Sequence, residues 1–167
     1  MKISIHREIV PLSEVPRTDE SASDGRQTVL IVDDEPLVAK TLALILSGAG
    51  FAATAVHNAR EALVLAQRRR PAFLLTDVHM PGMTGVELAL TFTTEFPECK
   101  ILLFSGRATA EDMMPAVKAG VEFPMLAKPV HPTEIIEYVS RSLRHRTRRA
   151  ETAPLQNEAY AVSAQAL

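Results

Sequence analysis

Five polar residues stand directly after short apolar runs. Asp33 and Asp34 follow VLIV (29–32), Asp77 follows FLLT (73–76), Ser105 follows ILLF (101–104) and Lys128 ends FPMLAK (123–128). One acid in such a place means little, because acids often cap the helix that comes next. The joint pattern says more, since suitable residue types fall at four separate run ends in register. Adjacent acids at the end of a buried element cost stability unless something positive joins them. Three carboxylates and one ammonium leave an excess of negative charge, which a hard divalent cation resolves. Mg2+ prefers oxygen ligands, keeps several waters and suits a few carboxylates on a rim. The residues therefore predict a Mg2+ site shared by Asp33, Asp34 and Asp77.

The runs themselves must be strands, because short continuous apolar stretches suit a sheet covered on both faces. FAATAV (51–56) and FPMLA (123–127) are weaker and read as edge strands, the second because Pro124 donates no ladder hydrogen bond. Helical patterns lie between them. Val38, Leu42 and Ile45 share a face, and Gly48 or Gly50 can end that helix. Asn58 with Glu61 and Thr84 with Glu87 are capping-box pairs, opening helices over 59–69 and to about Phe96. The basic run RRR (68–70) suits the negative end of the helix dipole. A fourth helix is predicted over 109–119, although Pro115 requires either a start near Met113 or a distorted first turn. Ile136, Val139 and Leu143 define the apolar face of a fifth, over 132–147. Five strand–helix alternations predict an α/β fold: a doubly wound, five-stranded parallel sheet of flavodoxin-like order 2-1-3-4-5, with helices on both faces. Ligands in such sheets bind at the carboxyl ends of the strands.

Composition bounds the rest. A length of 167 residues suits one domain with tails, and 47% hydrophobic with 23% charged residues is ordinary for a globular chain. A net charge of -2 gives no bulk attraction to nucleic acid. Cys99 alone can form neither an internal disulfide nor a cysteine zinc site. No apolar run is long enough to span a bilayer, and the N-terminus lacks the apolar core of a signal peptide, so a cytoplasmic location is expected. Residues 1–26 read as a flexible extension, although KISIHREIV alternates like a short strand against another chain. Residues 27–148 form the domain, and 149–167 read as a loose tail.

At VDDE, DVHMPGMTG, SGRA and KP the chain resembles the receiver domain of two-component response regulators, over about 28–147. Together these motifs are highly specific. The resemblance implies that Asp77 takes a phosphoryl group from a phosphohistidine on a sensor histidine kinase or phosphotransfer protein. Asp34 would ligate Mg2+ directly, Asp33 through water, and the backbone carbonyl of His79 would be a further ligand. Ser105 would bond a phosphoryl oxygen. Lys128 would pair first with Asp77 and then with the phosphoryl group, across a cis Lys128–Pro129 bond. The protein would be no enzyme beyond its own phosphorylation and dephosphorylation. Elementary chemistry agrees: phosphoryl transfer needs an in-line nucleophile, cations on the equatorial oxygens and positioning, and a carboxylate is a competent nucleophile. His79 and Arg107, each two past a site residue, sit where receivers tune acyl-phosphate hydrolysis, and the His79 side chain is expected to point to solvent.

The chain departs from the family pattern at output. Met125 stands where receivers carry an aromatic switch coupled to the Ser105 position, and a thioether cannot copy a ring's two-state burial. Phe123, on the same face by period two, is the substitute on offer. Met113 and Met114 read either as core or as a partner-binding surface. In receivers the fourth helix, fifth strand and fifth helix carry output, to a downstream protein target or through a homodimer. Five arginines within 141–149 suit a helix C-terminus, and with no nucleic-acid reader following, none is expected as partner. The leading reading is thus a stand-alone receiver. A phosphorelay shuttle or sink and a phosphorylation-independent interaction module remain as alternatives. An aspartate-nucleophile phosphatase would need D-x-D-x-T after the first strand, which DDEPL lacks.

Overall fold

The computed structural model describes residues 25–151, so the readings of the N-terminal extension and of the tail beyond Glu151 lie outside it. The elements are β1 (Thr28–Val32), α1 (Pro36–Gly48), β2 (Ala52–Val56), α2 (Ala59–Arg69), β3 (Phe73–Asp77), α3 (Gly85–Glu95), β4 (Lys100–Ser105), α4 (Met114–Lys118), β5 (Met125–Ala127) and α5 (Pro132–Glu151). All strands are parallel, in the order β2-β1-β3-β4-β5. This is the doubly wound sheet that the alternation predicts. Among the described residues no helix is long and apolar enough to cross a membrane.

The apolar runs are explained by the two faces they fill. Val29 and Ile31 join α1 and α5 residues in one core, while Leu30 and Val32 join α2 and α3 residues in the other. Each fully buried Leu, Ile or Phe stabilises by about 1.5–3 kcal/mol, so a strand with both faces covered has no room for a polar residue until it emerges. On β3 that happens only at its last two positions, Thr76 and Asp77.

The helices match their signals, with instructive shifts. In α1 the deepest residues are Ala39, Leu42 and Leu46, while Val38 is only half-buried. Gly50 ends this helix with a φ of +93°, letting Gly50 N–H bond Ser47 O and Phe51 N–H bond Leu46 O. That is the Schellman arrangement, which favours glycine because a side chain strains there. In α5 Ile135, Val139 and Leu143 are buried, whereas Ile136 packs only partly. Thr84 and Glu87 form a complete capping box. Asn58 caps α2, but Glu61 reaches back to the N–H of His57, one residue before the cap.

The largest departures lie at α4 and β5. Pro115 offers no N–H to the carbonyl of Glu111, and only Met114 N–H reaches it, at 3.1 Å. Residues 110–113 therefore form turns, and α4 has five residues in place of the predicted eleven. The strand expected over 123–127 is three residues long. Phe123 lies before it, and Pro124 contributes only its carbonyl, to Leu103 N–H.

Candidate functional site

The carboxyl ends of β1 and β3 lie side by side, since Val32 pairs with Thr76. That register places Asp33 and Asp77 next to each other, both buried. Lys128, just past β5, reaches across β4 to both. Its Nζ lies 2.8 Å from Asp33 Oδ2 and 2.7 Å from Asp77 Oδ1. The second oxygen of each acid is held by a backbone donor: Glu35 N–H to Asp33 Oδ1 at 2.9 Å, and His79 N–H to Asp77 Oδ2 at 2.8 Å. Lys128 thus bridges two acids, where the resemblance implied a pairing with Asp77 alone.

Lys128 is aimed by its neighbours. Its backbone N–H donates to Ser105 O at 2.8 Å, and its ammonium lies 4.9 Å from the centroid of the Phe104 ring. The Lys128–Pro129 peptide bond is cis. Burial alone would pull the lysine's pKa down, but the hydrogen bonds and charges of Asp33 and Asp77 outweigh it, and the net shift is upward. The ammonium is therefore locked in its charged form.

Ser105 is buried and touches neither acid. Its Oγ accepts from Arg107 N–H at 3.2 Å, which leaves the hydroxyl proton free for a further acceptor. Asp34 is exposed on the rim. With Glu35, Asp77, His79, Gly106, Arg107 and Lys128 it lines a cleft of about 430 Å³. Phe123 and Met125 lie elsewhere. Phe123 packs partly against the core formed by Val78, Leu103 and Ala116, while Met125 is 43% exposed.

Two supports escaped the sequence reading. A Cβ on Gly85 would lie 1.8 Å from the carbonyl oxygen of Asp77, so α3 can start where it does only with glycine there. The motif MPGMTG contains that glycine, but nothing in a sequence shows what its absent side chain avoids. The second is Asp112. Its Oδ2 lies 3.1 Å from His79 Nε2, so the His79 side chain, exposed as expected, is also tied to the segment before α4. Asp112 also accepts from the N–H and hydroxyl of Thr109 at 2.7 Å, bonds that hold its carboxyl below the usual range. The T-x-x-D spacing was a visible capping signal, but its link to His79 needed the fold.

The arrangement can present the Asp77 carboxylate to a ligand in an open cleft, with an ammonium and a hydroxyl beside it. Comparison with known proteins points the same way. A family model described as the response regulator receiver domain matches residues 29–140. The response regulator protein PilR of Pseudomonas aeruginosa is 32% identical over 133 residues, which cover 80% of this chain and 30% of PilR. The DNA-binding response regulator MtrA of Mycolicibacterium smegmatis is 28% identical over 78% of this chain and 55% of its own length. The chain thus spans about a third to a half of these relatives. Among solved structures, a CheY-like receiver domain protein from Methanospirillum hungatei has a TM-score of 0.68 at 25% identity, covering 74% of this chain and 98% of that one. The chemotaxis protein CheY4 of Vibrio cholerae gives 0.62 at 28% identity, over 71% and 99%. By fold, by sequence and by the residues gathered at its strand ends, this chain belongs to the response regulator receiver domain family.

Proposed function

We propose that the domain accepts a phosphoryl group on Asp77 from a phosphohistidine of a partner kinase or phosphotransfer protein, and passes the change to a protein target. The observation that carries this is the Asp33–Lys128–Asp77 bridge at the mouth of an open cleft. In the transfer an Asp77 oxygen forms the new bond to phosphorus as the bond from phosphorus to the histidine nitrogen breaks, and the donor imidazole, protonated on its other ring nitrogen, takes the bonding pair and leaves neutral. Lys128 follows the charge, exchanging its contact with Asp77 for one with a phosphoryl oxygen. Ser105, whose Oγ already accepts a bond, donates its proton to another. These steps need positioning and electrostatics more than new covalent chemistry. Any turnover is the domain's own phosphorylation and the hydrolysis that reverses it.

Mg2+ fits the donor set. Among the described residues no three acids or histidines converge closely enough to enclose a metal. Mg2+ at phosphate sites needs only one or two carboxylates and keeps its waters. Asp34 on the rim, Asp33 and Asp77 below it and the His79 carbonyl would hold it. When bound, the ion neutralises charge on the phosphoryl oxygens.

The donor's docking surface in this proposal is the apolar groove between α1 and α5, about 380 Å³ and lined by Leu37, Thr41, Val130 and Pro132, beside the cleft. Output leaves through α4 and β5, where Met114, Val117 and Met125 are exposed. A homodimer through that face is the variant form of the same reading. The match to MtrA, named as DNA-binding, favours a second reading in which a DNA-reading partner or domain receives the signal; a phosphorylation-dependent change in affinity for duplex DNA would distinguish it.

The test is intact mass after incubation with acetyl phosphate, with and without Mg2+. One phosphate-sized gain is expected, absent in Asp77→Asn and suppressed by chelator. A full gain in Asp77→Asn, or none in the wild type, defeats the proposal.

A further inference from the structure

The outer side of β2 is open. Ala52 N–H bonds Gln27 O and Val56 O accepts from Asp33 N–H, so these residues face β1. By alternation the amide groups of Ala53 and Ala55 face outward. Among the described residues no strand pairs there. Charges, prolines and bulges are what usually blunt an edge. The strand AATAV has no charge and no proline, and its unbroken register with β1 leaves no bulge. Such an edge invites addition of a strand from another chain.

Two adjoining hollows run along this edge, of about 240 and 340 Å³, and they share Leu65. Thr54, Val56 and Val64 line them, Val64 being 48% exposed. Their rim carries the exposed arginines Arg60, Arg68 and Arg69, none of them ion-paired with a described residue. Glu61 is the one acid among the lining residues, and its carboxylate is engaged by His57 N–H and Asn58 Nδ2. The helix dipole accounts for Arg68 and Arg69, in the last turn of α2. It does not account for Arg60, in the first turn, where a cation is unfavourable. The net charge of the whole chain is -2, so this positive strip is local.

A groove with an open strand edge, a small apolar floor and a positive rim selects its occupant. The edge asks for extended backbone, and the rim asks for carboxylates. A second copy adding its own β2 would bring the same arginines face to face, so charge disfavours it. We propose that β2 and α2 form the docking site for an extended acidic segment of a partner protein, which pairs with the outer edge of β2 and sets its carboxylates against Arg60, Arg68 and Arg69. Main-chain bonds to Ala53 and Ala55 hold the segment, and the arginines choose its side chains. Seven extended residues span about 23 Å against about 17 Å for the five of β2, so a heptapeptide covers the edge. The site is distinct from the Asp77 cleft and from the α4–β5 surface, and its use does not depend on chemistry at Asp77.

The test titrates the full chain with the heptapeptide Thr-Glu-Val-Glu-Val-Glu-Thr, whose glutamates fall on one side of an extended strand, and follows its amide signals. Shifts are expected at Ala53, Ala55, Val64 and Arg68. Hydrogen exchange at Ala53 and Ala55 should slow severalfold, while that of Thr54, which faces β1, stays unchanged. Charge reversal in Arg60→Glu/Arg68→Glu/Arg69→Glu should weaken binding about tenfold or more, and so should about 0.5 M salt with the native chain, which requires no variant to fold. A peptide with lysine in place of each glutamate should not bind. Shifts confined to α2, with no slowed exchange at Ala53 and Ala55, overturn the proposal. So does equal binding of the lysine peptide, and so does the absence of any shift with the acidic one. Shifts at the same amides on concentrating the protein without peptide also overturn it, by assigning the edge to a second copy.

Discussion

The cleft around Asp77 and the α4–β5 surface are built on opposite terms. In the cleft each buried carboxylate is held from more than one direction. Asp77 is fixed by Lys128, by His79 N–H and by the close approach of Gly85 behind its carbonyl. Asp33 is fixed by Lys128 and Glu35 N–H. At the α4–β5 surface α4 has five residues, β5 has three, and three large apolar side chains face solvent. The contrast separates two physical demands. The in-line transfer proposed for the cleft would tolerate little misplacement, which suits over-determined groups. The output role proposed for α4 and β5 would suit locally weak structure, with few backbone bonds to break.

Four substitutions would break or sharpen that contrast, in descending order of expected effect. Gly85→Ala forces a Cβ into the Asp77 carbonyl, and should destabilise by about 3 kcal/mol in urea unfolding because backbone must move. If it costs nothing, the cleft is less rigid than described. Lys128→Met leaves two buried acids facing each other, with an expected loss of about 2 kcal/mol, below the range for a fully buried pair because the lysine is partly exposed. The pH dependence carries its own sign. A lysine whose pKa is raised on folding contributes stability that is complete below about 10.4, its unfolded value, and is lost as pH rises through the folded one. The wild type should therefore lose stability on the alkaline side of that value, and Lys128→Met should lose this component. An identical alkaline limb in both proteins would remove the lysine from the account.

The α4–β5 surface should respond in the opposite direction. Pro115→Ala supplies the N–H four residues beyond Glu111 that a helix would use in place of the Met114 bond, and should lengthen α4 toward Thr109, adding helical circular dichroism and about 1 kcal/mol of stability. No gain in helix would mean that the turns at 110–113 are held by Thr109 and Asp112 and not by the proline. Met125→Ser should change stability by less than about 0.5 kcal/mol and leave the phosphate mass gain intact, since the side chain is exposed and remote from the bridge. A slowed phosphorylation would tie the two regions together.

What the sequence determined by itself was the sheet and the residues at its carboxyl ends. VLIV, FLLT and ILLF are legible because covering both faces of a strand demands unbroken apolar residues, and Asp33, Asp77 and Lys128 are legible because they interrupt such runs where the strands emerge. Tertiary structure alone decided how those residues meet. The adjacency of Asp33 and Asp77 depends on the β1–β3 register, the bridging lysine on the reach from β5 across β4, and the need for Gly85 on how closely α3 packs behind Asp77. His79 facing Asp112 likewise joins two loops that the chain keeps far apart. Local pattern encodes which residues must leave water. Distances between side chains on different elements are set by packing, and packing is a property of the whole fold.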